Sequence, residues 1–180
     1  MKKIISMALI VVFALSLAMP AFASSQTIAT EADNNEVATL ISTEIITADD
    51  GGDYYEINVY QFESADSMTK STQASKGTYT VSGYRDIIRR NGSGTALWEY
   101  RLNGTYTVNH GISVSCTSAS YKTTIYYSEW KFSQGSTSIS VARAYGSGVF
   151  KQYLMGFIVL DTVNINSIGL SCDVYGVLYI

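Results

Sequence analysis

The sequence is short of the residues on which many catalytic sites and surface anchors depend. Its 180 residues include one histidine, His110, one proline, Pro20, and two cysteines. A lone histidine in an Asn-His-Gly turn argues against histidine-based nucleophilic catalysis, and neither cysteine has a neighbour at metal-ligand spacing. A sorting signal of the LPxTG type needs a proline that the chain lacks after residue 20. The sequence therefore predicts no catalytic residue, no cofactor and no metal site.

Basic residues are absent from a long stretch near the start of the chain. Residues 24–69 hold ten acidic residues and no lysine or arginine, whereas residues 70–180 hold ten basic and five acidic residues. Such composition is typical of a solvated, partly disordered segment. We expect residues 24–52 to form an acidic leader of this kind. A leader that docks on the basic remainder or binds cations is the alternative.

The first 23 residues have the pattern of a secretory signal peptide. Lys2 and Lys3 precede an apolar stretch over residues 4–18, and Ala21-Phe22-Ala23 resembles a cleavage site. The stretch is shorter than the roughly 20 residues of a membrane-spanning helix, and no later run reaches that length. We expect cleavage near Ala23, a secreted or surface-associated protein, and no membrane span in the mature chain.

From residue 53 onward the sequence alternates between strands and turns. Tyr, Thr, Val, Ile and Trp are frequent, and turn signals recur every 8 to 14 residues. This spacing predicts one all-β domain over residues 53–180, an antiparallel β-sandwich of about eight to ten strands. An immunoglobulin-like topology is one option. Residues 149–160 are nearly all apolar and predict one strand buried on both faces or two strands bent at Gly156.

The most regular alternation surrounds Trp98. Five large residues occupy even positions: Trp98, Tyr100, Leu102, Tyr106 and Val108. A hairpin turn at Asn103-Gly104 would send the last two to the opposite face, so we expect one continuous strand. A three-residue turn over residues 109–111 then pairs Val108 with Ile112, Tyr106 with Val114 and Gly104 with Cys116.

Two cysteines, Cys116 and Cys172, remain in the exported chain. An even pair in an oxidising compartment predicts a disulfide bond. Two buried free thiols are the alternative. Opposite Cys116, the predicted hairpin places Gly104, which leaves room for a bridge to a strand stacked above.

Part of the chain resembles a known family. The residues are W-x-x-x-L-x-G-T-Y-T from Trp98 to Thr107, then Gly111, Cys116-Thr117-Ser118, Trp130 and Cys172. This pattern is similar to that of a family of small exported proteins from Gram-positive bacteria, a domain of unknown function. The resemblance covers residues 94–172 and implies secretion and a Cys116–Cys172 bridge. It implies no activity and no functional residues.

Two groups of residues are candidates for binding. Arg85, Arg89 and Arg90 form the main basic cluster and could meet an anionic ligand, although a solvated strand end is the plainer interpretation. An aromatic surface could include tyrosines in adjacent pairs, where one ring of each pair points outward. The candidates are Tyr54, Tyr126 and Tyr127.

These features favour a non-enzymatic binding or surface-interaction module for cell-wall polymer or glycan. A self-associating surface protein that pairs through edge strands is the alternative. A hydrolase that uses two carboxylates, such as Glu99 and Glu129, is a third and less favoured function. The partner itself is not specified by the sequence. Nucleic acid is disfavoured by export and by a pI of about 5.1.

Overall fold

The computed structural model describes residues 37–48, 52–62 and 77–180. Within these ranges the chain forms nine strands and no helix, which confirms the all-β prediction. The predicted signal peptide and most of the predicted leader lie outside the described residues. The strands are β1 (Ala38–Thr47), β2 (Tyr54–Phe62), β3 (Thr78–Arg90), β4 (Ala96–Asn109), β5 (Ser113–Ile125), β6 (Trp130–Ser140), β7 (Arg143–Leu154), β8 (Ile158–Cys172) and β9 (Leu178–Tyr179).

The strands form two antiparallel sheets in which neighbours in sequence are neighbours in space. The first sheet has the order β1-β2-β3-β4-β5, and the second has the order β6-β7-β8-β9. Strand β1 lies inside the segment whose composition predicts a leader, and it pairs with β2 along its length. The sheet thus begins by Ala38, ahead of the boundary expected at residue 53.

Alternation along β4 builds the centre of the core. Trp98, Tyr100, Leu102, Tyr106 and Val108 share one face of a single continuous strand, and all five are fully buried, as predicted. Their side chains meet residues of the second sheet. The ring of Trp98 stacks on that of Phe150 in β7, with 4.0 Å between ring centroids. The hydroxyl of Tyr100 donates to the carbonyl oxygen of Ser147, also in β7.

Two glycines in β7 allow Tyr100 to lie against bare backbone. A Cβ atom at Gly146 would lie 2.7 Å from the Tyr100 hydroxyl oxygen, and one at Gly148 would lie 2.9 Å from a carbon of the same ring. Both distances are too short for real contacts. Close approach between the sheets, rather than an unusual backbone angle, requires glycine at these two positions.

The hairpin between β4 and β5 has a different register from the predicted one. Val108 pairs with Val114 and Tyr106 with Cys116, so the turn holds residues 110–112. A bulge between Thr105 and Tyr106 shifts the register again, and Gly104 pairs with Ala119. The turn was located correctly, with Gly111 at a φ of 71°, but it begins one residue later than expected.

The predicted disulfide bond is wrong: Cys116 and Cys172 are both buried free thiols. The amide of Cys116 donates to the Val141 carbonyl oxygen and that of Cys172 to the Ala142 carbonyl oxygen. The cysteines therefore flank the turn between β6 and β7. A disulfide bond needs Cα atoms about 4.4–6.8 Å apart, and the two cysteines are not close enough to form one.

We expect both thiols to be inert in the folded protein. Burial raises the pKa of Cys116, and burial with the nearby Asp173 raises the pKa of Cys172 to about 12. Little thiolate is then present at neutral pH. Intact mass after treatment with iodoacetamide should show no label on the native protein and two labels after denaturation without reductant. A gain of two protons on reduction would contradict this expectation.

The turn between β6 and β7 contains a strained residue. Val141 has a φ of 43° and its side chain is 81% exposed. A β-branched residue is a genuine outlier in this region of backbone space. Val141→Gly should therefore raise the free energy of unfolding by about 1 kcal/mol, measured by urea denaturation. Ala142→Gly is the matched control, and it should lower stability; a Val141→Gly protein no more stable than wild type would refute the assignment of strain.

Candidate functional site

The side of the first sheet that faces away from the core carries the densest group of interacting polar side chains. We call this side the outer face. Since side chains alternate along a strand, burial of Trp98 and Tyr100 sends Glu99 and Arg101 to the outer face. The strand register aligns Asn58 of β2, Asp86 of β3 and Arg101 in one row across the sheet.

Arg101 and Asp86 form the central pair of the outer face. The Arg101 Nε and Nη2 atoms lie 2.7 and 2.9 Å from the two carboxylate oxygens of Asp86. The same guanidinium lies 3.2 Å from Glu99 Oε1. A guanidinium that binds a carboxylate through two parallel hydrogen bonds is held in a defined plane. Arg101 therefore fixes both acids in position.

Aromatic rings contact the Asp86–Arg101–Glu99 network at two points. The Arg101 guanidinium carbon lies 3.9 Å from the centroid of the Tyr84 ring, and Tyr60 stacks on Tyr84 with 4.7 Å between centroids. Tyr126, directly after β5, donates its hydroxyl to Glu99 at 2.6 Å. Its side chain is 52% exposed, so this ring is open to a ligand. The outer face thus combines fixed polar groups with accessible aromatic surface.

A second chain of hydrogen bonds runs along β1, β2 and β3. The Thr43 hydroxyl donates to Asn58 Oδ1 at 2.8 Å, and Asn58 Nδ2 donates to Glu56 Oε1 at 2.8 Å. Arg90 Nε completes the chain with a 2.6 Å contact to Glu56 Oε2. Buried polar networks in which the members have partners are rigid. The outer face is therefore organised before any ligand arrives.

Two of the three acids in these networks, Asp86 and Glu56, have opposite pKa shifts. Asp86 is 3% exposed, and this burial raises its pKa to about 6, even though the Arg101 hydrogen bonds act in the other direction. Burial also acts to raise the pKa of Glu56, but hydrogen bonds from Asn58 and Arg90 outweigh it and lower that pKa. Asp86 is thus a carboxyl whose charge changes near neutral pH.

The predicted arginine patch is wrong as a single exposed surface. Of the three, only Arg90 lies on the outer face. Arg85 and Arg89 occupy odd-numbered positions of β3, whose side chains point to the opposite face. Arg85 donates to the Gly169 carbonyl oxygen of β8. Arg89 is 2% exposed and pairs with Asp53 and Asp161. Three arginines that are close in sequence are therefore divided between the two faces of the sheet.

The three candidate tyrosines lie at one end of the first sheet. Tyr54 begins β2, while Tyr126 and Tyr127 follow β5 and donate their amides to the Leu97 carbonyl oxygen. Tyr126 joins the network through Glu99, whereas Tyr54 is half-buried. Glu129, the other carboxylate considered for hydrolysis, instead accepts a hydrogen bond from Gln152 of β7.

Sequence reasoning missed the central residues of the site: Asn58, Asp86 and Arg101. They come from three strands and are brought together only by register. The available signal was the alternation of side chains between the two faces of a strand. Asp86 and Arg101 each stand one position from residues with a core pattern, which predicts an outward side chain but not the partner opposite it.

We expect the Asp86 carboxyl to titrate near pH 6. Its folded-state pKa lies above the ordinary value of 3.8, so the folded protein binds more protons between these values. The stabilising contribution of this group is fully present below about pH 4 and is lost as pH rises through about 6. NMR titration of the Asp86 side-chain carbon should give a midpoint near pH 6.

Asp86→Asn supplies the control for this titration. The difference in unfolding free energy between wild type and this variant should fall by up to about 3 kcal/mol between pH 4 and pH 7. Glu56 titrates in both proteins, so its contribution cancels in this difference in unfolding free energy. A midpoint near pH 4 and a constant difference would show that Arg101 outweighs burial.

Comparison of the chain with protein-family models, with curated proteins and with solved structures finds no match in any of the three. In the described part of the chain, no helix is long and apolar enough to cross a membrane. The geometry of the outer face is therefore the basis on which a function can be inferred.

Proposed function

We propose that this protein is a secreted, non-enzymatic binding module that holds a glycan or cell-wall polymer on its outer face. The observation that carries the proposal is the Asp86–Arg101–Glu99 network beside the exposed ring of Tyr126. Carboxylates and guanidinium groups hydrogen-bond to hydroxyls, and aromatic rings offer a flat apolar surface to a sugar ring. The signal-like first 23 residues support a location where such polymers occur.

The fold supports a rigid platform for such a ligand. We infer that the two sheets pack face to face as a β-sandwich, which the Trp98–Phe150 stack and the Tyr100 hydrogen bond to Ser147 support. In that arrangement the outer face of the first sheet points away from the second sheet. The resemblance to exported Gram-positive proteins agrees with this proposal and stays a prediction.

A non-enzymatic role fits the state of the carboxylates. Asp86 and Glu99 share one guanidinium, which holds both in place and offsets their charge. A two-carboxylate hydrolase needs one free nucleophile or base and one proton donor on either side of a sugar bond. Glu99 and Glu129 have separate partners on different strands, which weighs against that mechanism.

Self-association is a second candidate, favoured by one observation. Strand β1 is an edge strand of its sheet. Three isoleucines along it are exposed: Ile41, Ile45 and Ile46. An exposed apolar edge strand is a template for pairing with another chain. Sedimentation velocity over a range of protein concentrations would detect such pairing and distinguish it from polymer binding.

The proposal is tested by co-sedimentation of the purified protein with isolated Gram-positive cell wall. Binding should persist in about 1 M salt, where the screening length is about 3 Å and simple ion exchange is suppressed. Tyr126→Ala should weaken binding about tenfold, as expected when an exposed aromatic contact is lost. Glu99→Gln should also weaken it.

Tyr179→Ala is the matched control, because Tyr179 is exposed to a similar extent on β9 of the other sheet. It should bind as wild type does. Absence of wild-type binding, or equal loss in Tyr126→Ala and Tyr179→Ala, would rule out the outer face as the binding surface.

A further inference from the structure

The hairpin that joins β7 to β8 ends in seven consecutive residues without a polar side chain. We call residues 154–160 the apolar tip. Its sequence is Leu-Met-Gly-Phe-Ile-Val-Leu, and every one of these residues is exposed. Met155 is 80% and Phe157 72% exposed. A contiguous apolar surface of this kind in contact with water marks an interaction site.

The apolar tip is exposed on both faces of the hairpin. Ile158 and Val159 are consecutive in β8 and point to opposite faces, yet both are exposed. Leu160 is the extra residue of a β-bulge between the pairs Tyr153–Val159 and Gln152–Asp161, and it is exposed as well. A protein partner with a groove or a sheet edge would cover one face and leave the other in water. A lipid phase surrounds an inserted segment on all sides.

The length by which the apolar tip projects suits the depth of a membrane interface. The amide of Tyr153, one residue before the end of β7, donates to the Glu129 carbonyl oxygen just ahead of β6. Beyond Tyr153 the strand rises by about 3.3 Å to Leu154, and the turn residues Met155 and Gly156 with the side chain of Phe157 add to this reach. Apolar segments that lie in the interface of a bilayer are buried by about 5–10 Å.

The turn at the end of the apolar tip is tight. Met155 and Gly156 have φ values of 52° and 82°, and the Phe157 amide donates to the Leu154 carbonyl oxygen. Two positive φ values are typical of the turn whose twist matches a two-stranded hairpin. The two most exposed large side chains of the apolar tip, those of Met155 and Phe157, are therefore held at its end by the backbone.

Two lysines lie opposite each other at the base of the apolar tip. Lys131 of β6 pairs in register with Lys151 of β7, an arrangement of like charges that destabilises a sheet. The Lys131 ammonium lies 5.1 Å from the Tyr153 ring centroid. Ion pairs recorded between described residues involve neither lysine. Anionic headgroups would offset this repulsion.

Two acids close to the lysine pair in sequence or strand register have other partners. Asp161 of β8 pairs with Arg89 at 2.9 Å, and Glu129 accepts a hydrogen bond from Gln152. We propose that the apolar tip inserts into the interface of an anionic phospholipid bilayer, with Lys131 and Lys151 at the headgroups. This role uses a different part of the molecule from the outer face, so its test is independent of the test for polymer binding.

Vesicle flotation with the whole protein tests the proposal. The protein should float with vesicles that contain phosphatidylglycerol in equal share with phosphatidylcholine, and less with phosphatidylcholine alone. Phe157→Ser should reduce partitioning by about tenfold, the usual value of one large apolar side chain. Ile112→Ser is the matched control: Ile112 is 74% exposed, in the turn between β4 and β5, and its loss should change nothing.

The lysines and the depth of insertion are tested separately. Lys131→Gln with Lys151→Gln should remove the preference for phosphatidylglycerol. Phe157→Trp should show a blue-shifted emission with vesicles and quenching by lipids brominated in their acyl chains. Absence of wild-type flotation, equal losses in Phe157→Ser and Ile112→Ser, or no quenching would overturn the proposal. Loss of a concentration-dependent dimer in Phe157→Ser, without lipid binding by wild type, would assign the apolar tip to self-association instead.

Discussion

The packing of the two sheets at one end depends on a single buried charge. The Arg89 guanidinium lies 3.1 Å from Asp53 and 2.9 Å from Asp161, and its carbon is 4.8 Å from the centroid of the Trp130 ring. A buried cation is tolerated only when it is paired and hydrogen-bonded. Its partners lie before β2, in β8 and in β6. The contacts of the Arg89 guanidinium of β3 therefore fix the position of elements from both sheets.

Sequence alone was sufficient for most strands of the domain, but not for β1 inside the predicted leader and not for the register. The parity of Trp98, Tyr100 and Val108 correctly identified one continuous strand and its core face. The turn after it could not be placed to the residue, because its last member is the apolar Ile112 and polarity gave no boundary. The disulfide prediction came from an even pair of cysteines in an exported chain and from a resemblance, and neither gives the distance between the two thiols.

The candidate site was harder to predict for a related reason. A run of basic residues in sequence suggests one patch, but the pleat of a strand separates Arg89 from Arg90 as soon as the segment is extended. Asn58, Asp86 and Arg101 share no local motif. They meet only because three strands align them in one row. Exposed aromatic residues could be guessed from composition, and Tyr126 is the one that joins the network.

Gly146 and Gly148 lie against Tyr100, and this contact bears on how the sequence can change over time. Any side chain at either glycine collides with the tyrosine ring, while a smaller residue at position 100 leaves a hole between the sheets and removes the hydrogen bond to Ser147. Neither change is tolerated alone. Across related sequences these positions should therefore vary together, as a correlated trio that links residues more than 40 positions apart in the chain.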